Sequence, residues 1–334
     1  MTVDRRHLIA LSLGLGAIAA PAIARARAAA LAADGSLPSW PPAERFDLWP
    51  AGELRVPPGL RPRPQITRER TDGYRNLLMR GTVRPDVGVF RPRRPDGRAV
   101  LIVPGGGYSV TSLRGEGIDV ALTLAAQGIT GFVLNYRLPG EGWADRADVP
   151  LSDAQRAMRL IRENAARFRI DPAKLGVLGF SAGGHLAASL ATLHDLRVYR
   201  PLDAADRQSA RPAFAGLMYA VSSMDAGRSH GGSRANLLGP DPDPAMQRRY
   251  AVDRHINAAT PPLFVLAAED DPTVPVTNSL DLLAAAREAR VPVEAHIIER
   301  GGHGFGTRLP RINPGSLWPD LFDRWTLQTL AGLR

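Results

Sequence analysis

The chain has 334 residues, 44% of them hydrophobic, enough apolar material for one large single-core domain. It contains no cysteine, which excludes disulfides, thiolate catalysis, cysteine-ligated zinc and a lipid-modified cysteine. The formal charge of +9 comes from basic residues that are all arginine except Lys174; they are scattered among acids without a binding motif or an aromatic platform, so nucleic acid is not an expected partner.

The first thirty residues read as an export signal. Arg5-Arg6 precedes an apolar run from Leu8 to Ala20, and small-residue cleavage sites such as Ala24-Arg25-Ala26 follow, a pattern of the twin-arginine type. The run is too short to span a bilayer, so the expectation is cleavage and a periplasmic or secreted protein without stable membrane insertion. Residues 31–64 are proline-rich and aperiodic, and are expected to form an extended arm anchored by Trp40, Phe46 and Trp49.

The domain proper is placed at 65–334. Residues 65–92 alternate well enough for one or two antiparallel strands. After them the pattern changes to short, continuous apolar runs at 99–103, 131–135, 175–180, 214–221, 263–268 and 293–298. Such runs suit strands buried on both faces. Helical periodicity lies between them at 117–127, 152–168 (with Ser152 as its N-cap), 182–193 and 278–289, and again at 318–330. The expected fold is therefore α/β, a doubly wound, mostly parallel sheet with antiparallel N-terminal strands, whose ligands bind at the carboxyl ends of the strands.

Gly179-Phe180-Ser181-Ala182-Gly183 matches G-x-S-x-G between a predicted strand and a predicted helix. The glycines permit a sharp turn that lifts a serine hydroxyl into the cleft, and neither a P-loop nor a dinucleotide-binding pattern is present here. A nucleophilic serine needs a base, an orienting acid and oxyanion donors. His303, in the glycine-rich loop 300–306 after the last predicted strand, fits the base better than His185, which is expected to pack within the helix that follows the serine. Glu269, Asp270 and Asp271 follow the preceding strand as candidate acids, and Gly105, Gly106 and Gly107 follow an early strand. Gly106, Gly107 and Ala182 are the expected oxyanion donors.

In the order serine, acid, histidine the sequence resembles the α/β-hydrolase superfamily. More closely it resembles a bacterial acetyl-xylan esterase-like or acetylesterase-like branch, through PGGGY at 104–108, NYRLP at 135–139, GFSAGGHLAA at 179–188, HGGSRANLLG at 230–239 and GGHGFG at 301–306. The resemblance implies an esterase of acylated carbohydrates or other small esters with Ser181, Asp271 and His303 as triad. Asp271 is favoured because Asp271-Pro272-Thr273-Val274-Pro275 matches the family's D-x-x-V-P arrangement. Pro104 stands where related lipases and esterases have a histidine before the glycines. No metal or organic cofactor is implied. A general carboxylesterase, a serine peptidase-like hydrolase and a non-catalytic binding protein are the competing readings. Near the strand ends, His230, Arg234, Tyr108, Tyr136 and Trp143 are open to either a cleft-lining or a purely structural role, with 230–239 expected as a tight surface loop.

Overall fold

The computed structural model describes residues 39–68 and 73–332, so the segment read as an export signal lies outside the described residues. In chain order the strands are β1 (Arg45–Asp47), β2 (Gln65–Arg68), β3 (Arg75–Met79), β4 (Asp86–Phe90), β5 (Ala99–Val103), β6 (Thr111–Ser112), β7 (Thr130–Asn135), β8 (Leu175–Phe180), β9 (Ala215–Met218), β10 (Leu263–Ala268) and β11 (Val293–Ile298). The α-helices are α1 (Asp119–Ala125), α2 (Val149–Glu163), α3 (Ala165–Phe168), α4 (Ala182–Thr192), α5 (Gly231–Leu238), α6 (Pro244–Tyr250), α7 (Thr277–Glu288) and α8 (Trp318–Ala331).

One sheet of eight strands runs in the order β1-β4-β7-β5-β8-β9-β10-β11. Its first two pairings, β1 with β4 and β4 with β7, are antiparallel, and all the others are parallel. The expected mostly parallel sheet with an antiparallel start is therefore what forms. The continuous apolar runs have a simple cause. Along β5, Leu101 and Val103 face the cluster packed by α2, α4 and α7, whereas Val100 and Ile102 face the cluster packed by α1 and α8. With helices on both faces, neither side of the strand reaches water.

Several boundaries differ from the sequence reading. Residues 65–92 hold three strands, and β2 and β3 join β6 in a small separate antiparallel sheet. The helix at 152–168 begins at Val149 after Asp148, with Pro150 in its first turn where a missing N–H costs nothing. Ser152 is thus inside the helix rather than its N-cap, and its hydroxyl donates to the Val149 carbonyl at 2.7 Å. The same helix breaks at Asn164, whose amide turns back onto the Leu160 carbonyl at 2.9 Å, leaving α3 as a separate turn. α1 is preceded by a π-helical turn, Arg114–Ile118. In the segment expected as an N-terminal arm, Trp40 donates to Asp86 at 3.1 Å and Trp49 to Asp153 at 2.7 Å, while Phe46 packs on Phe168 with ring centroids 5.7 Å apart and lies in β1, so the segment supplies the main sheet's edge strand rather than only a surface arm.

Candidate active site

β8 ends at Phe180 and α4 starts at Ala182, leaving one residue for the reversal. Ser181 makes it with φ +53° and ψ −121°, a sparsely populated conformation for a non-glycine residue. The surroundings hold it there. A Cβ on Gly179 would lie 2.6 Å from Ala187 Cβ, one on Gly183 would strike the Val103 carbonyl, and one on Gly184 would lie 2.5 Å from Ala220 Cβ. The helix can therefore sit against β8 and its neighbours only because these positions lack side chains. Ser181 itself is 5% exposed.

The parallel sheet then brings two distant loops to this turn. His303 Nε2 lies 2.8 Å from Ser181 Oγ, and His303 Nδ1 lies 2.7 Å from Asp271 Oδ2. Because an ionised carboxylate only accepts, Nδ1 carries the proton and Nε2 is the acceptor facing the serine hydroxyl. The Asp271 side chain is 1% exposed, and its other oxygen accepts the Thr273 and Val274 amides at 2.8 and 3.0 Å, which fixes the carboxylate plane. Asp270, the adjacent candidate acid, turns outward and accepts the Gly301 and Gly302 amides, both at 2.8 Å. Those two N–H groups hold its carboxyl below the usual carboxylate range. Glu269 is exposed at the end of β10. Of the three acids, the structure places Asp271 at the imidazole.

The glycine loop after β5 packs against the serine: a Cβ on Gly105 would lie 2.9 Å from Ser181 Cβ. Its carbonyls are taken by the turn that follows. Gly105 O accepts from Ser112 N at 2.9 Å, and Gly106 O accepts from Ser109 N and Val110 N at 3.0 and 3.1 Å. In a trans peptide the N–H points opposite to its carbonyl, so the Gly106 and Gly107 N–H groups face away from that turn. Among the described residues neither has an acceptor. Gly106 adopts φ +125° and Gly107 φ +63°, values that favour glycine. Ala182 opens α4, so its N–H is one of the helix-start donors without an intrahelical partner.

Residues beyond the expected site shape it. His185 is fully buried, yet it does more than pack. Its Nε2–H donates to the Tyr250 carbonyl at 2.7 Å, leaving Nδ1 to accept the Tyr108 hydroxyl of the glycine loop at 2.8 Å. Tyr136 donates to the Pro104 carbonyl at 2.9 Å, so Tyr108 and Tyr136 brace that loop from the core side, and Trp143 is buried as well. The segment expected as a loop at 230–239 is largely helix α5, capped by His230, whose Nδ1 accepts the Ser233 amide at 3.2 Å. That helix lies on the glycine loop: Asn236 donates to the Gly107 carbonyl at 2.7 Å, and a Cβ on Gly107 would lie 3.8 Å from His230 Cε1. Burial lowers the His230 pKa and the nearby His303 lowers it further. Arg234 turns away to the Met224 carbonyl at 2.9 Å. Sequence patterning also passed over Glu116 and Tyr219, which carry no motif of their own.

Residues 89–285 match the family model for BD-FAE, more than half of the chain. An acetylxylan esterase of Xylanibacter ruminicola is 38% identical over 221 residues, 65% of this chain and 43% of that protein. Endo-1,4-beta-xylanase B of Butyrivibrio fibrisolvens is 36% identical over 207 residues, 61% of this chain and 32% of that protein. The chain thus spans less than half the length of these two relatives. Among solved structures, the acetyl ester-xyloside bifunctional hydrolase of Caldicellulosiruptor lactoaceticus superposes with a TM-score of 0.69 at 31% identity, over 85% of this chain and 96% of that one. An α/β-hydrolase sheet, a serine on its strand-to-helix turn and these similarities agree: the chain belongs to the BD-FAE family.

Proposed function

We propose that the protein is a serine esterase that hydrolyses short acyl esters, acetyl esters of carbohydrates such as xylan above all, through an acyl-enzyme. The observation that carries this reading is the His303 bridge, 2.8 Å to Ser181 and 2.7 Å to Asp271, which joins three strand-end segments. In the first step the Ser181 oxygen attacks the ester carbonyl while His303 Nε2 takes its proton. The Gly106, Gly107 and Ala182 amides receive the developing oxyanion, and His303 returns the proton to the leaving alcohol. A water molecule, deprotonated by the same nitrogen, then releases the carboxylic acid and restores the serine. Asp271 holds the tautomer throughout. The acetylxylan esterase and the acetyl ester-xyloside hydrolase support the acetyl group and the carbohydrate as the substrate side of the reaction.

Acetate release from acetylated xylan, other acetylated glycans and p-nitrophenyl esters of increasing chain length tests both halves of the proposal. The expected result is turnover of acetyl esters that falls steeply with acyl length, and a loss of about three powers of ten or more in Ser181→Ala. Near wild-type turnover by Ser181→Ala contradicts the mechanism. Equal rates on simple and glycan esters favour a general carboxylesterase, and cleavage of a peptide amide a peptidase.

A further inference from the structure

Glu116 is an acid that the reaction above does not use, yet it touches both loops that the reaction depends on. It sits on the π-helical turn and is 5% exposed. One carboxyl oxygen accepts the Gly105 amide of the glycine loop at 2.9 Å, and the other accepts the Tyr219 hydroxyl at 2.8 Å. The Tyr219 hydroxyl in turn accepts the Gly306 amide of the histidine loop at 3.1 Å. Tyr219 follows β9 with φ +37°, and its ring meets the His303 ring edge-on with centroids 4.9 Å apart and the Phe305 ring at 4.6 Å. The backbone fit is equally close: a Cβ on Gly306 would strike the Gly115 carbonyl, and one on Gly304 would lie 4.0 Å from Glu116. Burying a carboxyl is costly, and an apolar side chain could have filled the same space. Burial does push the Glu116 pKa up, while His303 is the strongest influence pulling it down, ahead of the Tyr219 and Gly105 hydrogen bonds and Arg308.

We propose that Glu116 is a positioning residue for the acyl-transfer reaction: its carboxylate ties the oxyanion loop to the histidine loop through Gly105 and Tyr219, and places negative charge near the imidazole that receives the serine proton. The inference rests on the esterase reading. Four groups besides Ser181 bear on His303: Asp271 from the β10 loop, Tyr219 from the β9 end, Glu116 from the π-helical turn and His230 at the start of α5, while Arg308, on the histidine loop's own segment, acts on Glu116 and Tyr219. Only changes at Glu116 and Tyr219 separate charge from tethering.

Glu116→Gln keeps the shape and an acceptor for the Gly105 amide but removes the charge. Tyr219→Phe keeps the ring and the charge but cuts the bridge to Gly306. On p-nitrophenyl acetate, Glu116→Gln is expected to lower kcat about tenfold with KM changed less than about twofold. The acid limb of its pH profile is expected to move down by about half a unit, because loss of a neighbouring anion weakens proton uptake by the base. Tyr219→Phe is expected to lower kcat with the limb in place. An unmoved limb in Glu116→Gln, whatever its kcat, overturns the inference. If that variant does not fold, as judged by its melting transition, wild-type kcat in Tyr219→Phe overturns it instead. Ser181→Ala, assayed alongside, separates the two levels. A wild type inactive on every ester removes the esterase reading, whereas a Ser181-dependent wild type matched by both variants removes only the role of Glu116.

Discussion

Asp270 and Asp271 leave the same strand end but face opposite ways, and one residue's difference separates an imidazole partner from a loop clasp. Asp271 is buried with both oxygens occupied, one by His303 and the other by two backbone amides. Asp270 is exposed and holds the Gly301 and Gly302 amides, so it acts on His303 only through the loop. Asp271→Asn is expected to lower kcat by about three to four powers of ten, because an amide side chain can hold the imidazole in the wrong tautomer. Asp270→Asn retains a carbonyl acceptor for the two amides and is expected to cost less than about tenfold. Equal losses on a short acetyl ester would contradict this division. The residue types alone left three acids open at this strand end; the choice depends on which way each side chain turns, and that is set by the Thr273 and Val274 amides ahead of it. His185 shows the same limit. Its helical spacing from Ser181 correctly separated it from the serine, but its bond to Tyr108 depends on a residue 77 positions earlier in the chain.

Among the elements, those whose pattern is imposed by burial on both faces were legible almost residue for residue: β5, β8 and β10 lie where the apolar runs lie, and the half-buried edge strand β11 coincides with its run as well. The elements that escaped are governed by local or tertiary hydrogen bonds instead. α5 starts with two glycines, poor helix formers, and exists through the His230 cap and its contact with the glycine loop. The π-helical turn has no hydrophobic period of its own, and it places Glu116 between two loops that meet only in the folded chain. The serine turn was legible because its steric demand is written directly as glycine. Gly183→Ala tests that demand. Its methyl group would meet the Val103 and Pro104 carbonyls at the end of the neighbouring strand, backbone atoms that cannot swing aside. The expected cost is about 3 kcal/mol, at the upper end of overpacking, seen as a lower denaturation midpoint together with loss of esterase turnover. A variant with wild-type stability and turnover would show that α4 can move away from β5, contrary to the packing described.

Across the whole molecule, the basic excess that first raised the question of nucleic acid includes arginines with internal duties. Arg98 bridges Asp96 and Asp323, Arg137 pairs with the fully buried Asp153, and Arg156 reaches Asp203 and Asp206, each guanidinium being less than a tenth exposed. These pairs fasten α8, α2 and the 204–207 turn to the rest of the domain. Guanidinium groups stay charged at any ordinary pH, so the acid response of the fold must come from other groups. His185 is one of them, beside carboxyls such as Asp203 and Asp206 whose pKa values are lowered. Burial drives the pKa of His185 down to about 4. Neutral in the fold, it takes up a proton in the unfolded chain at about pH 6.5, so the stability it contributes is fully present above that value and is lost as the pH falls towards its folded value. Asp86, Asp119 and Glu116 act in the opposite sense: burial raises their pKa values, and the stability linked to them is greatest at low pH and is lost as pH rises. The net acid slope is therefore a difference, and only a paired measurement isolates the histidine. Urea unfolding of wild type and His185→Gln at about pH 7 and pH 4.5 is expected to show the stability gap between them narrowing by about 2 kcal/mol on acidification. A gap independent of pH would mean that His185 accepts its proton as readily in the fold as out of it. Its position between the Tyr108 hydroxyl and the Tyr250 carbonyl would then have to open without cost, and the glycine loop would lose its brace in the same step.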